Sequence, residues 1–327
     1  MKICVFGAGA IGGFLAGMLS RAGNDVSVVA RGAHLRAILD QGLTVETPDG
    51  TFVTHPRASD DPATLGRQDA VLVTVKAPSL PSIAAGLGAL VGPETSVAFI
   101  TNGIPWWYFR AHGGPRDNDK LPRLDPEGAL WRAVSPEQTI GGIAWPASSV
   151  PAPGVIRMMS GLTRGTTLGM PDGKTTPGLA AIEKAFAGAS LPIQVTDRIR
   201  DAVWEKLAFN LSAGPMCVLT QTPVRFTHEE DACIAASRRV LAEAAALIAA
   251  MGCHVEMDVE RIVETNIKLG HRPSILQDLE AGRPMEIDAL YTVPLEMARA
   301  AGVPMPTLDL LAALIRVRAR AAGLYAG

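Results

Sequence analysis

Cysteine is scarce in this sequence, and its spacing gives no sign of a metal. Only four occur among 327 residues, Cys4, Cys217, Cys233 and Cys253. No C-x-x-C pair is present, and no group of Cys and His has metal-ligand spacing, so neither a zinc site nor a redox dithiol is expected. Four reduced, packed thiols are the expectation instead. An excess of either charge is missing too: 30 Lys and Arg against 32 Asp and Glu leave a formal net charge of -2. That gives no electrostatic case for nucleic acid or an anionic membrane as partner. Long apolar runs are absent as well. Stretches such as 241–250 fall short of the roughly 20 residues that span a bilayer. The N-terminus, Met1-Lys2-Ile3-Cys4-Val5-Phe6, enters a glycine loop without the apolar stretch and cleavage site of a signal peptide. A cytoplasmic location is expected.

What is present is ordinary globular composition, 48% hydrophobic and 19% charged, in a length that suggests about two domains. Residues 2–6, 25–30, 70–75 and 96–100 are short, Val- and Ile-rich and flanked by turn residues, so each reads as a buried strand. An amphipathic stretch at 12–22 separates the first two. Strand–helix–strand alternation of this kind predicts a parallel sheet with helical crossovers. Further strands are expected at 139–145, 155–159, 166–169 and 193–195, extending the sheet in antiparallel fashion. From about residue 197 only helical patterns remain: 197–219, 229–251, 258–268, 285–301 and 308–321, with Asp197 and Asp258 as N-caps. The expected fold is therefore α/β, an N-terminal Rossmann-type doubly wound sheet (1–196) followed by an all-helical domain (197–327). A Gly-, Pro- and Asp-rich insertion at about 105–137 opens with Trp106, Trp107, Tyr108 and Phe109.

The first strand runs into Gly7-Ala8-Gly9-Ala10-Ile11-Gly12, a G-x-G-x-x-G sequence. Its place after a strand and before a helix makes it a dinucleotide-binding fingerprint. Gly7 permits the tight turn, Gly9 lets the backbone approach a pyrophosphate, and Gly12 allows close helix–strand packing. Ala8, Ala10 and Ile11 complete the loop whose amides face the phosphates. After the second strand, a site for NAD usually has Asp or Glu; this chain has Arg31. An arginine there suits the 2′-phosphate of NADPH, against the alternative of a solvated surface side chain. Lys76 and Asn102 each follow a strand of the expected parallel sheet, on its ligand-facing edge.

Taken in order, several segments resemble the ketopantoate reductases (2-dehydropantoate 2-reductases) of the 6-phosphogluconate dehydrogenase-like superfamily. They are Gly7 to Gly12, Arg31, Val73-Thr74-Val75-Lys76-Ala77, Asn102-Gly103, Trp204-Glu205-Lys206-Leu207-Ala208-Phe209-Asn210, and Ser274-Ile275-Leu276-Gln277-Asp278 leading to Glu286-Ile287-Asp288. The resemblance spans essentially the whole chain outside 105–137. It implies NADPH-dependent reduction of a small 2-oxo acid to a 2-hydroxy acid, with 2-dehydropantoate as the first candidate substrate. By position, Lys206 would be the general acid and Glu286 its acidic neighbour, also close to the cofactor. Asn102, Asn210 and Ser274 would hold the substrate, while Lys76, Asn102 and Ala147 would line the cofactor side. The chemistry agrees, because hydride delivery builds negative charge on a ketone oxygen, and a proton donor must answer it. No histidine is placed for that role by any motif. Lys206 and Asn210, four apart on a helix, share one face.

Two features depart from the family pattern. Where the family commonly has Asn one turn beyond the Lys206–Asn210 pair, this chain has Gly214, before Pro215. The aromatic run from Trp106 reads either as an anchor for the insertion or as part of a lid suited to an apolar substrate. A paralogous 2-oxo acid reductase with another substrate is therefore the alternative, and a non-catalytic NADPH-binding sensor the third reading. The Ala- and Leu-rich helices from Val240 and Leu308 serve either as core or as a dimer surface; a homodimer is expected.

Overall fold

The β-branched runs pair into an eight-stranded sheet, and a smaller four-stranded sheet forms beside helix-forming segments of the same unit. The computed structural model describes residues 1–159 and 163–326. The chain divides into two compact units: Met1–Thr101 with Trp106–Ile199, and Asn102–Pro105 with the chain from Arg200 onward.

Among its described residues the first unit contains twelve strands. They are β1 (Lys2–Phe6), β2 (Asp25–Val29), β3 (Leu43–Thr47), β4 (Gly50–Thr54), β5 (Arg57–Ser59), β6 (Ala70–Val73), β7 (Ser96–Ile100), β8 (Thr139–Ala144), β9 (Ser148–Ala152), β10 (Val155–Met158), β11 (Thr166–Gly169) and β12 (Ile193–Val195). Eight form a sheet in the order β12-β11-β8-β7-β6-β1-β2-β5. From β8 to β5 every pairing is parallel, so these strands end on the same edge. The order reverses between β1 and β6, which puts the switch point of the doubly wound sheet beside the glycine loop. The expected antiparallel extension is corrected in part. Only β8–β11 runs antiparallel; β8 joins β7, and β12 joins β11, in parallel.

The strand expected at 155–159 belongs elsewhere. As β10 it lies in a second sheet, β4-β3-β10-β9, whose other members the periodicity did not reveal. Helix α1 (Ala10–Arg21) touches both sheets, and its glycines explain how. A Cβ on Gly12 would stand 2.2 Å from the Thr74 hydroxyl, on the side of the large sheet. One on Gly13 would stand 2.6 Å from Ile156, and one on Gly17 2.4 Å from Val45, on the side of the small sheet. The remaining helices of this unit are α2 (Gly32–Gln41), α3 (Leu80–Leu90), α4 (Ala129–Ala133) and α5 (Pro177–Gly188).

The aromatic run is an anchor. Trp106, Trp107, Tyr108 and Phe109 are 1%, 1%, 0% and 0% exposed. Trp106 meets Phe99 of β7 edge-on at 5.1 Å, and the Trp107 ring lies where a Gly141 side chain would be, 2.3 Å from its Cβ position. The Arg110 guanidinium stacks over Trp106 and Trp131 and donates to the Trp131 carbonyl at 2.8 Å. The lid reading is thereby corrected, since side chains this withdrawn offer no surface to a substrate. Trp107→Ala should cost about 3–5 kcal/mol, as for other buried large-to-small changes. It should lower the melting temperature while leaving relative efficiency across 2-oxo acids unchanged; altered selectivity at unchanged stability would restore the lid.

The second unit is helical: α6 (Ile199–Thr220), α7 (Val224–Thr227), α8 (Asp231–Ala250), α9 (Val259–Lys268), α10 (Ser274–Glu280), α11 (Val293–Ala300) and α12 (Pro306–Ala321). Asp258 caps α9 as expected, accepting from the Arg261 amide at 3.0 Å. Helix α6 starts at Ile199, so Asp197 is not adjacent to it, and it runs unbroken through Pro215. Buried Leu241, Ala244, Leu247 and Ile248 on α8 and Leu308, Ala312, Ile315 and Ala319 on α12 supply the apolar faces of a shared contact. A buried polar link ties α9 to α6: Asn266 donates to the Ser212 hydroxyl at 3.0 Å and lies 3.4 Å from His228 Nε2. The stretch expected as one helix at 285–301 begins with a π-helical turn, Asp288–Thr292, a form that gathers at functional sites.

Candidate active site

In the first unit, the glycine loop leaves the C-terminal end of β1. Gly7 takes φ +104°, open to glycine without strain. The Gly7 and Ala8 amides donate to the Val29 carbonyl at 3.1 and 3.3 Å, fixing the turn against β2. Gly9 caps α1 with no side-chain cap, is exposed, and has nothing within 4 Å of its Cβ position. Ala10 and Ile11 begin the helix, and its first turn contains no acid. Bare first-turn amides, the helix dipole and open space above Gly9 together fit a dinucleotide pyrophosphate.

Thr74, passed over as a site residue in the sequence, holds this loop. Its hydroxyl donates to the Gly7 carbonyl at 2.7 Å, and its amide to the Phe6 carbonyl at 3.0 Å. The sequence carries it inside the segment Val73-Thr74-Val75-Lys76-Ala77, without a role of its own. Arg31 is exposed at the N-cap of α2. A phosphate there would meet both the guanidinium and the positive end of the helix. Lys76 precedes a short 3-10 turn beyond β6, and Ala147 follows β8 on the same sheet edge. The Ala147 carbonyl accepts from the Met159 amide at 2.7 Å.

In the second unit, Lys206 and Asn210 are half-buried on α6. Burial first, and the positive charge of Lys206 second, hold the His271 imidazole below its ordinary pKa. His271 is therefore a neighbour of Lys206 that no motif revealed. It precedes Ser274, the exposed first residue of α10. Elsewhere in this unit, the Asn102 amide donates to a Glu286 carboxylate oxygen at 3.4 Å, although 184 residues separate the two. Glu286 is 2% exposed. The rest of the loop is fastened to the turn after Glu286: the Ile104 amide donates to the Ala289 carbonyl at 2.8 Å. Gly103, at φ +76°, passes so close that a Cβ would stand 2.4 Å from that same oxygen. Burial pushes the Cys4 and Cys217 thiols up to about 12, so both stay protonated near neutrality.

Comparison with known proteins finds one family in two segments of the chain. The family described as ketopantoate reductase PanE/ApbA matches residues 3–106, and its C-terminal counterpart matches residues 198–319. A 2-dehydropantoate 2-reductase of Mesorhizobium japonicum is 39% identical over 327 residues, covering 99% of this chain and 100% of the relative. The chain belongs to the ketopantoate reductase family. A 2-dehydropantoate 2-reductase of Caulobacter vibrioides is similar at 29% identity, over 97% of this chain and 99% of its own length. A solved structure from Ralstonia solanacearum MolK2, named as a candidate ketopantoate reductase, superposes with a TM-score of 0.92 at 39% identity, covering 99% of each chain. As a ketopantoate reductase family member, the protein is a nicotinamide-dependent oxidoreductase acting on a small 2-oxo acid. The aromatic anchor beyond Trp106 and strands β8 to β12 lie outside both matched segments.

Proposed function

We propose that this protein is an NADPH-dependent 2-dehydropantoate 2-reductase, with Lys206 as proton donor and Glu286 beside the reacting groups. The observation that carries the reading is the Asn102–Glu286 hydrogen bond. Asn102 lies two residues beyond the end of β7, one of the strands that end on the glycine-loop edge, and its amide is bonded to Glu286 of the last motif segment. The cofactor, when bound, supplies a hydride to the carbonyl carbon of the 2-oxo acid. As charge grows on the ketone oxygen, the Lys206 ammonium passes it a proton, giving the hydroxyl of the 2-hydroxy acid. Asn210, on the same face of α6, and Ser274, at the start of α10, supply hydrogen bonds to the acid. Asn102 holds the Glu286 carboxylate in place. A sensor would need no proton donor, so Lys206 beside Asn210 argues for turnover.

Arg31 supports NADPH over NADH. Its guanidinium and the α2 N-terminus offer a charge-assisted site for a 2′-phosphate, worth about 1.5–3 kcal/mol, or roughly 10- to 100-fold in preference. The test is oxidation of each cofactor with 2-dehydropantoate and a panel of branched and aromatic 2-oxo acids. The wild type should prefer NADPH and 2-dehydropantoate. Arg31→Ala should cut the NADPH-to-NADH ratio of kcat/KM by at least tenfold. Equal efficiency with both cofactors in the wild type removes the NADPH assignment.

A further inference from the structure

The helix that presents Arg31 is tied to the small sheet through His34. Arg31 is the N-cap of α2, and His34 lies in the first turn of the same helix. The His34 Nδ1 accepts from the Gly154 amide at 2.9 Å, although 120 residues separate the two. Gly154 turns the chain between β9 and β10 at φ +76°, and its carbonyl accepts from the Thr44 amide of β3 at 2.9 Å. The turn lies so near α2 that a Cβ on Gly154 would stand 2.9 Å from that of Ala37. One glycine thus joins helix and sheet, its amide on His34 and its carbonyl on β3. A ring nitrogen accepts from an amide only when it carries no proton. Burial lowers the pKa of His34, and hydrogen bonding toward the Ala8 backbone of the glycine loop opposes this more weakly, so the ring keeps the neutral form that the bond requires. A guanidinium meets a phosphate through a planar fork of fixed geometry. Arg31 is exposed, so the placement of its fork depends on where the α2 N-terminus stands.

We propose that His34 is a positioning residue for cofactor choice: by accepting from Gly154 it fixes the first turn of α2 on the small sheet, and so holds Arg31 where a 2′-phosphate arrives. The assignment rests on the reading of Arg31 as the 2′-phosphate site. It gives the small sheet a part in cofactor selection, through the β9–β10 turn.

Leucine and asparagine have nearly the same shape and differ in polarity, so the two substitutions at position 34 isolate the hydrogen bond. An asparagine Oδ1 stands where Nδ1 stands along the side chain and can accept from Gly154; leucine cannot. His34→Leu should lower the NADPH-to-NADH ratio of kcat/KM by about fivefold, the equivalent of one ordinary hydrogen bond. The loss should come through a higher KM for NADPH, with kcat and the efficiency with NADH changed much less. His34→Asn should keep most of the wild-type ratio. Added to Arg31→Ala, His34→Leu should move the ratio no further, since no guanidinium is left to place. An unchanged ratio in His34→Leu overturns the assignment. So does an equal loss with both cofactors, which would make His34 a packing residue, an equal loss from asparagine and leucine, or an undiminished effect of leucine on Arg31→Ala. If leucine prevents folding, His34→Ala removes the acceptor without apolar bulk and reads the same ratio. If Arg31→Ala leaves the wild-type ratio intact, the reading of Arg31 and this proposal fall together; a ratio sensitive to Arg31→Ala and indifferent to His34→Leu removes only the latter.

Discussion

Lys206→Ala should bind NADPH within about twofold of wild type and lose roughly 10²- to 10⁴-fold in kcat, the range that a positioned acid contributes. The split follows from where the residue sits. The glycine loop, Thr74 and Arg31 belong to the first unit, and Lys206 belongs to α6 in the second. Removing a half-buried side chain from α6 leaves the nucleotide contacts untouched. A second substitution separates charge from proton transfer. Lys206→Arg keeps a cation, but a guanidinium with a pKa above about 12 does not release its proton near neutrality. If Lys206 gives up a proton, the arginine variant stays slow; if it only offsets charge, much of the rate returns. Single-turnover measurement of NADPH oxidation, with binding followed by fluorescence, reads both quantities. Near-normal turnover by Lys206→Ala sinks the acid assignment.

Gly12→Ala should be the most damaging change in the nucleotide loop. Its Cβ would stand 2.1 Å from the Gly7 carbonyl oxygen and 2.2 Å from the Thr74 hydroxyl. Those two atoms are already bonded to each other at 2.7 Å. A methyl group cannot share that space, so α1 must shift outward, and overpacking of this kind costs about 1–3 kcal/mol or more. The melting temperature should fall by several degrees, and NADPH affinity by at least tenfold. Gly9→Ala is the matched comparison. Nothing stands within 4 Å of its Cβ, and its φ of -69° suits any residue. That variant should keep full thermal stability and still bind the nucleotide poorly, because the methyl enters the space above the bare amides. Equal melting temperatures for Gly12→Ala and the wild type would contradict the packing argument.

The contrast between these glycines shows how much was legible in the sequence. The spacing of Gly7, Gly9 and Gly12 after an apolar run fixes a strand, a turn and a helix, because each demand is local. Gly13 and Gly17 carry the same residue type for another reason: they admit Ile156 and Val45 of the small sheet. That sheet pairs β3 with β10 across more than a hundred residues, a distance at which periodicity carries no information. The aromatic run left two readings open for a similar reason. Four consecutive aromatics after Asn102-Gly103 fit an anchor or a pocket, and their burial, with Gly141 on β8 emptied of side chain to admit Trp107, identifies them as core.

The polar residues divide in the same way. Lys206, Asn210 and Ser274 are proposed from motif order, which is a property of the chain. His271 was not singled out, and Thr74 was given no role, because what each does lies in what it touches.

The short loop Asn102–Pro105 has a practical consequence for anyone dissecting the molecule. The chain leaves the first unit after Thr101, returns at Trp106 and departs again after Ile199. A fragment cut at the second departure would carry four residues whose hydrogen bonds, to Glu286 and Ala289, stayed behind in the discarded piece. The complementary fragment would lose the amide that holds its buried carboxylate. The two units are thus distinct as packed bodies and inseparable as polypeptides, so exchange of one half between relatives has to carry this loop with the helical half.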